Sequence, residues 1–226
     1  AQLLTLCAAG FATGVLAGRH VVITAGPTRE AIDPVRYLSN HSSGKMGYAI
    51  AAAAIDAGAR VTLISGPTAL TPPDRCSVVK VESALDMLAA CEAHTGDIFI
   101  AVAAVADYRV AEPATSKLKK SADSMSLALV RNPDILANMA ASSPRPFCVG
   151  FAAETDNLAA YARDKLKNKK LDLIIANDAA ATFGNDDAAV TAYWPGGELS
   201  LPAQSKAQLA RQLITLVAER CRSSHG

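Results

Sequence analysis

The chain has 226 residues, enough for one large domain or two small domains with a substantial buried core. Half of the residues are hydrophobic, only 5% are aromatic, and the net charge is +1. This near-neutral charge gives no electrostatic reason to expect nucleic-acid or membrane partners, and the composition favours a layered α/β protein.

The first 18 residues are apolar, but they lack the basic region that opens a signal peptide, and no further membrane span follows. We expect residues 1–18 to be a linker or tail and residues 19–226 to form the functional domain. The five cysteines show no CxxC spacing and are read as reduced thiols, which predicts a cytoplasmic protein: Cys7, Cys76, Cys91, Cys148 and Cys221.

Short apolar runs alternate with helical patterns along the chain. Strands are predicted at His20–Thr24, Arg60–Ile64, Ser77–Val81, Asp97–Ala101, Pro146–Gly150 and Leu171–Ala176. Helices are predicted at Ser43–Ala57, Ala84–His94, Pro133–Ala141, Asn157–Asn168 and Ser205–Arg220. This order predicts a Rossmann-like, mainly parallel sheet with helices on both faces.

Two segments depart from the alternation. Val190–Leu201 has a Gly-Gly turn between alternating runs and predicts a C-terminal hairpin. Residues 108–132 are too long and polar for a plain connection, so we expect them to form a flap over a site; this segment is called the flap below.

The first strand is followed by a long polar loop that ends in SNHSSGKMG. Ser42 and Ser43 are natural helix N-caps, and Gly44 allows close backbone approach, so the helix start favours a phosphate or carboxylate. A capped helix with glycines needed only for packing is the alternative. The glycines do not form GxGxxG, which argues against a dinucleotide site. Asn40 is either an amide for ligand binding or a turn residue.

A second strand runs into AAVADY. Ala103 and Ala104 would let a ligand touch the backbone, and Asp107 would accept hydrogen bonds; a helix N-cap is the alternative role for Asp107. In the flap, Lys117 and Lys119 project to one side and can deliver an ammonium group to developing negative charge, or they simply form a solvated face.

The later strand ends also carry candidates. Asn132 and Pro133 mark a helix start. Phe151 is either a ring that stacks on a base or a core residue. Lys165 and Lys169 share one helix face, which suits a polyphosphate, although their spacing alone favours a solvated helix face.

The order TAGPTRE, DPVRYLSNHSSGKMG, AAVADY, KLKK, NPDI, GFAAET and IIAND closely resembles the phosphopantothenate–cysteine ligase family from about Arg19 to Cys221. More narrowly, it resembles the bacterial CTP-using branch, usually the C-terminal half of a bifunctional decarboxylase/synthetase in coenzyme A synthesis. The resemblance implies that CTP and Mg²⁺ activate phosphopantothenate as an acyl-cytidylate, which L-cysteine then converts to an amide. It also implies a homodimer with a decarboxylase domain on its N-terminal side, and no FMN in this part.

The resemblance also assigns roles to residues, although it leaves the metal ligands unknown. Lys117 would activate the carboxylate, and Asn40 would act in the breakdown of the acyl-cytidylate. The substrate would contact Ser42, Ser43, Gly44, Ala103, Ala104 and Asp107. The nucleotide would contact Ala101, Val102, Ala103, Asp107, Lys117, Pro133, Asp134, Ile135, Leu136, Phe151, Lys165 and Lys169.

Two other functions compete with this one. Tyr161 and Lys165 have the spacing of a short-chain reductase, but no glycine-rich turn accompanies them. A non-catalytic nucleotide sensor would bind CTP without releasing pyrophosphate.

Overall fold

The computed structural model describes residues 14–120, 123–154, 158–178 and 187–223. Residues 1–13 of the predicted tail lie outside the described residues. Its last part forms a turn on the domain, where Leu16 is 2% exposed and its N–H donates to the Ala57 carbonyl at 2.9 Å.

The main sheet has eight strands in the order β12-β11-β10-β9-β6-β1-β4-β5. The strands are β1 (His20–Ala25), β2 (Arg29–Ala31), β3 (Tyr37–Ser39), β4 (Arg60–Ser65), β5 (Ser77–Lys80), β6 (Ile98–Ala101), β7 (Tyr108–Val110), β8 (Leu129–Arg131), β9 (Phe147–Glu154), β10 (Leu173–Asp178), β11 (Asp187–Trp194) and β12 (Gly197–Ser205). From β5 to β10 the neighbours are parallel, and β11 and β12 add an antiparallel hairpin. The predicted mainly parallel sheet and C-terminal hairpin are confirmed.

Helices cover both faces of this sheet. They are α1 (Lys45–Asp56), α2 (Ala84–Ala93), α3 (Ile135–Ala140), α4 (Leu158–Asn168) and α5 (Lys206–Ser223). Helices α1 and α5 pack together over the side chains of Val21 and Ile23, whereas Val22 faces the core formed with α2 and α3. The alternation along β1 therefore buries both of its faces, as a central parallel strand requires. In the described part of the chain, no helix combines the length and apolar character needed to cross a bilayer.

The strand order reverses direction at β1. The chain moves outward through β4 and β5 and then returns to the other side of β1 with β6. In sheets of this type, the carboxyl ends of the two strands at the reversal diverge and leave a crevice for ligands. The crevice here lies between the loops that follow Ala25 and Ala101.

Two small antiparallel ribbons lie outside the main sheet. Strands β2 and β3 form a hairpin within the polar loop, and β7 and β8 pair at the base of the flap. The pairing of Tyr108 with Arg131 shows that the flap leaves and rejoins the domain at one place. The β2–β3 hairpin was not predicted, because three-residue strands in a polar loop carry no clear alternation.

The start of α1 differs from the prediction. Gly44 is the N-cap residue, with φ of 79° and no side-chain cap hydrogen bond, and the helix begins at Lys45. The Ser42 hydroxyl oxygen instead accepts a hydrogen bond from the Gly44 N–H at 3.3 Å. The prediction that Ser42 or Ser43 caps the helix is therefore wrong. A left-handed residue at the cap favours glycine, since it has no Cβ to clash.

Helix α1 also approaches β1 very closely at Gly47. A Cβ added there would lie 2.5 Å from the Ala25 Cβ and 3.3 Å from the Thr24 carbonyl oxygen. The absence of a side chain at Gly47 thus lets the first turn of α1 rest on the end of β1, beside the crevice.

We expect Gly47→Ala to lower the free energy of unfolding by about 1–3 kcal/mol, because the added methyl group must push α1 away from β1. Urea denaturation of the variant and the wild type measures this change. Helix propensity alone would stabilise the same variant by up to about 1 kcal/mol. A variant more stable than the wild type would therefore contradict the close contact.

Candidate functional site

Two threonine hydroxyls join the loops at the reversal point. Thr24 Oγ1 accepts hydrogen bonds from the N–H groups of Val102 and Ala103, both at 3.2 Å. Thr28 Oγ1 accepts one from the N–H of Ala106 at 3.0 Å. These bonds fix the backbone of the AAVAD segment against the loop that follows β1, so the walls of the crevice are set by the fold itself.

The first cavity opens between this segment, the base of the flap and α3. It has a volume of about 620 Å³, which is within the range of small-molecule sites. It is lined by Thr24, Ala101, Ala103, Val105, Ala106, Asp107, Tyr108, Arg131, Asn132, Pro133, Asp134, Ile135, Leu136, Phe151 and Lys169. The structure therefore brings together most residues of the nucleotide set. Val102 lines the neighbouring cavity instead, and Lys117 and Lys165 line neither.

One wall of the first cavity carries an ion pair between a lysine and an aspartate. Lys169 Nζ lies 2.7 Å from Asp134 Oδ2, and Asp134 also caps α3 through the Ala137 N–H at 3.0 Å. Burial alone would raise the pKa of Asp134, but the hydrogen bonds from Lys169 and Ala137 outweigh it, so the pKa is below its usual range. Lys165 adds its positive charge to the same carboxylate. This wall therefore carries one of the two lysines expected for a polyphosphate, Lys169, and an anion that competes with the polyphosphate for it.

The second cavity lies at the start of α1. It has a volume of about 460 Å³ and is lined by His41, Ser42, Ser43, Gly44, Lys45, Met46, Gly47, Val102, Ala103, Ala104, Val105, Phe151, Asn177, Ala188, Val190 and Lys206. The first-turn N–H groups of a helix lack intrahelical partners and favour anions. Lys45 and Lys206 add positive charge to this wall, so the cavity suits a phosphate group or a carboxylate.

The two cavities adjoin. Ala103, Val105 and Phe151 line both of them. Phe151 is half-buried and packs against the core, so its core role holds in part, while stacking on a base stays a prediction. A molecule that reaches from one cavity to the other must pass the small side chain of Ala103. The pair can therefore hold two ligands whose reactive ends meet.

Asn40 lies beside the second cavity rather than in its wall. Its Nδ2 donates a hydrogen bond to the Ala104 carbonyl at 2.9 Å, and the adjacent Ser39 hydroxyl donates to the Thr28 carbonyl at 2.7 Å. The amide is thus oriented by the same segment that separates the cavities. Its second N–H and its oxygen remain for a ligand.

Lys117 is an exposed residue of the flap, outside both cavities. The backbone of the next residue, Leu118, is bonded to the turn of the β2–β3 hairpin. Asn40 directly follows that hairpin, so the two predicted catalytic residues belong to segments that contact each other.

Asn132, which the sequence marks only as part of a helix start, holds the backbone at Asp107 and its neighbour. Asn132 Nδ2 donates to the Ala106 carbonyl at 2.8 Å, and the Asn132 N–H donates to the Asp107 carbonyl at 2.8 Å. The alternative that Asp107 caps a helix is wrong, because β7 follows it directly. Asn132 was missed because its signal, RNPD, also satisfies the simpler rule for a helix start.

Two expectations concern the metal ligands and the reductase alternative. Within them, no group of three or more His, Cys, Asp or Glu side chains is placed to hold a metal ion. Tyr161 and Lys165 line neither cavity, which removes the geometric basis of the reductase alternative.

Comparisons with known proteins agree with the motifs and the fold. The family model for the DNA/pantothenate metabolism flavoprotein C-terminal domain matches residues 16–221. The coenzyme A biosynthesis bifunctional protein CoaBC of Vibrio vulnificus is 52% identical over 221 residues, covering 94% of this chain and 55% of that protein. CoaBC of Escherichia coli is 50% identical over 210 residues, covering 89% and 52%. The chain thus spans about half the length of these curated relatives.

Solved structures agree as well. The C-terminal domain of CoaBC superposes with a TM-score of 0.81 at 41% identity, covering 93% of this chain and 100% of that one. A Cab2 variant in complex with phosphopantothenate-cysteine gives a TM-score of 0.76 at 17% identity, which shows the fold alone. The motifs, the sheet order and the extent of these matches together place the chain in the DNA/pantothenate metabolism flavoprotein C-terminal domain family.

Proposed function

We propose that the protein is a phosphopantothenate–cysteine ligase that uses CTP and acts in coenzyme A biosynthesis. The observation that carries this proposal is the pair of adjoining cavities, one suited to a nucleotide and one to an anionic acyl substrate, which meet at Ala103 and Phe151. Relatives named for coenzyme A biosynthesis, at about half identity over nearly the whole chain, support the same activity.

In the first step, a carboxylate oxygen of phosphopantothenate attacks the α-phosphorus of CTP. The new P–O bond replaces the bond to the departing pyrophosphate, and an acyl-cytidylate forms. Charge grows on the phosphoryl oxygens and on the leaving group, so nearby ammonium groups stabilise the transition state. Lys169, on the wall of the first cavity, would supply one such group. Lys117 would bring a second positive charge when the flap lies over the nucleotide.

In the second step, the amine of L-cysteine attacks the acyl carbon. The C–N bond forms, the bond to the cytidylate oxygen breaks, CMP departs, and the amine loses a proton. Asn40 is oriented by Ala104, and its remaining N–H would donate to the carbonyl oxygen as negative charge develops there. The AAVAD segment would thereby take part in both steps, because it lines both cavities and orients Asn40.

Mg²⁺ fits this scheme as an ion carried mainly by the triphosphate, since it favours phosphate oxygens and one or two carboxylates. Asp107 is a carboxylate on the wall of the first cavity and would complete its ligand set. The ion would neutralise charge on the phosphates. FMN is not expected to bind this part of the chain.

We infer that the natural polypeptide carries a decarboxylase domain on the N-terminal side, because this chain matches all of a CoaBC C-terminal domain and 55% of a bifunctional relative. A cytoplasmic location remains a prediction. It agrees with the reduced state of the described cysteines, which are Cys76, Cys91, Cys148 and Cys221.

We also propose a homodimer through the two small ribbons. Val35 and Tyr37 of the β2–β3 hairpin are 60% and 49% exposed, and Tyr108 and Leu129 of the flap base are 48% and 47% exposed. Strands β2 and β7 contact each other, so these apolar side chains belong to one region of the surface. Such a region is typical of an interface with a second copy.

Lys117→Gln should slow pyrophosphate release by about 10²- to 10³-fold, because it removes a positive charge from the transition state. Pyrophosphate is measured with CTP, Mg²⁺ and phosphopantothenate, in the absence and presence of cysteine. Lys120→Gln, which changes another exposed lysine of the same flap, is the matched control. An unchanged rate in the Lys117 variant would show that the flap lysine has no part in the first step. A wild type that binds CTP but releases no pyrophosphate would indicate a nucleotide sensor.

Asn40→Asp should slow the second step by about 10²-fold and let the acyl-cytidylate accumulate, since the new carboxylate faces the Ala104 carbonyl and offers no N–H to the acyl oxygen. Quenched reactions separated by chromatography would show pyrophosphate release that outpaces CMP release. Asn168→Asp, an exposed change at the end of α4, is the control. Equal release of both products in the Asn40 variant would remove its proposed role.

Tyr37→Glu should convert the dimer into a monomer, because it places a charge at the centre of the apolar region. Light scattering after size exclusion measures the mass. Tyr161→Glu changes an equally exposed tyrosine, 51% against 49%, on α4 and should leave the dimer intact. A monomeric wild type would contradict the homodimer.

A further inference from the structure

The turn of the β2–β3 hairpin contains a fully enclosed carboxylate. The Asp33 side chain has 0% exposure, and Oδ1 accepts hydrogen bonds from the N–H groups of Val35 and Arg36, both at 2.9 Å. Oδ2 accepts from Arg36 Nε at 3.1 Å and pairs with the same guanidinium through a second nitrogen. The hydrogen bond from Arg36 is the main reason that the pKa of Asp33 is well below its usual range. Asp33 is therefore a charged and rigid group.

The same carboxylate reaches across to the flap. Asp33 Oδ2 accepts a hydrogen bond from the Leu118 N–H at 3.1 Å, although the two residues are 85 positions apart in the chain. The Leu118 carbonyl accepts a hydrogen bond from Arg36 at 3.2 Å. Both backbone groups of Leu118 are thus held by one ion pair. A further bond, from the Ala114 N–H to the Ile32 carbonyl at 2.9 Å, holds the flap to the same turn.

These contacts act on the backbone next to the flap lysine. Lys117 directly precedes Leu118, so the backbone beside it is held, while its own side chain is exposed and extends from this fixed point. The turn that holds Leu118 leads through β3 to Asn40. The Asp33–Arg36 pair therefore links the two segments on which the proposed catalytic residues lie. A catalytic group displaced by about 1 Å loses about 10²-fold in rate.

We propose that Asp33 is a positioning residue for the first step, which sets the reach of Lys117 by holding Leu118. This inference rests on the proposed ligase function. Asp33 touches neither cavity, so it acts through the flap and not on the substrate. The polarity of the arrangement is specific: an acceptor at Asp33 and a donor at Arg36 match the N–H and the carbonyl of a single flap residue.

Asp33→Asn keeps the shape and one acceptor oxygen but removes the charge that holds Arg36. At saturating CTP and phosphopantothenate, we expect pyrophosphate release to slow by about 10- to 10²-fold, with the KM for CTP changed by less than about threefold. In a Lys117→Gln background, the same substitution should change the rate by less than about threefold, because its effect passes through Lys117. Glu112→Gln, an exposed carboxylate of the flap, is the control and should match the wild type.

An unchanged rate in Asp33→Asn would overturn the inference, and so would an equal loss of rate in both backgrounds. A wild type that releases no pyrophosphate would instead overturn the ligase function. The contact itself is tested separately by amide hydrogen exchange in the wild-type protein. The Leu118 amide should exchange at least about tenfold more slowly than the exposed Lys119 amide. Equal exchange at these two amides would overturn the inference even if the Asp33 variant failed to fold.

Discussion

The site depends on the contact between the two loops at which the strand order reverses. Backbone N–H groups in a partly buried crevice need acceptors, and Thr24 and Thr28 supply them to Val102, Ala103 and Ala106. Thr24 does this from the end of β1, a strand buried on both faces, and Thr28 does it from the loop that follows β1. The rigidity of the core therefore extends into the loop that divides the cavities, and Asn40 takes its orientation from that loop.

Two ion pairs lie at the edges of this site, one beside the flap and one on the wall of the first cavity. The described contacts pair important cations with carboxylates: Arg36 with Asp33, and Lys169 with Asp134. A site for several phosphate groups would otherwise concentrate positive charge in the absence of ligand, and like charges in a cavity destabilise a fold. The pairs relieve this repulsion and also fix the side chains. Catalytic geometry and stability are thus served by the same contacts.

The strands of the central sheet could be predicted from the sequence, because each is a short apolar run of strand length. Strands such as β1 and β4 are mostly apolar and buried along almost their whole length, and such short apolar runs predict a buried parallel sheet. Most of the residues proposed for the nucleotide line one cavity, because parallel strands bring their carboxyl ends to one edge. The start of α1 was misjudged, since a left-handed glycine and two adjacent serines compete for one cap position.

Other features depend on contacts between distant residues, which local patterns do not encode. Asp33 reads as an ordinary turn residue before Pro34, and only the fold shows that it accepts a hydrogen bond from Leu118. Asn177 and Lys206 reach the second cavity from β10 and α5, far along the chain from the motifs that mark it.

The bond between Lys169 and Asp134 has a consequence for how a nucleotide would enter. An incoming phosphate would displace an internal carboxylate, so binding becomes an exchange of one anion for another at the same ammonium group. The phosphate therefore gains less electrostatic energy than it would from a lysine with no carboxylate beside it. Added salt screens the attraction of Lys169 to the phosphate and to Asp134 alike, so it should weaken nucleotide binding less than the number of lysines implies. Release of the products is made easier for the same reason, since Asp134 stays close by to take the ammonium group back.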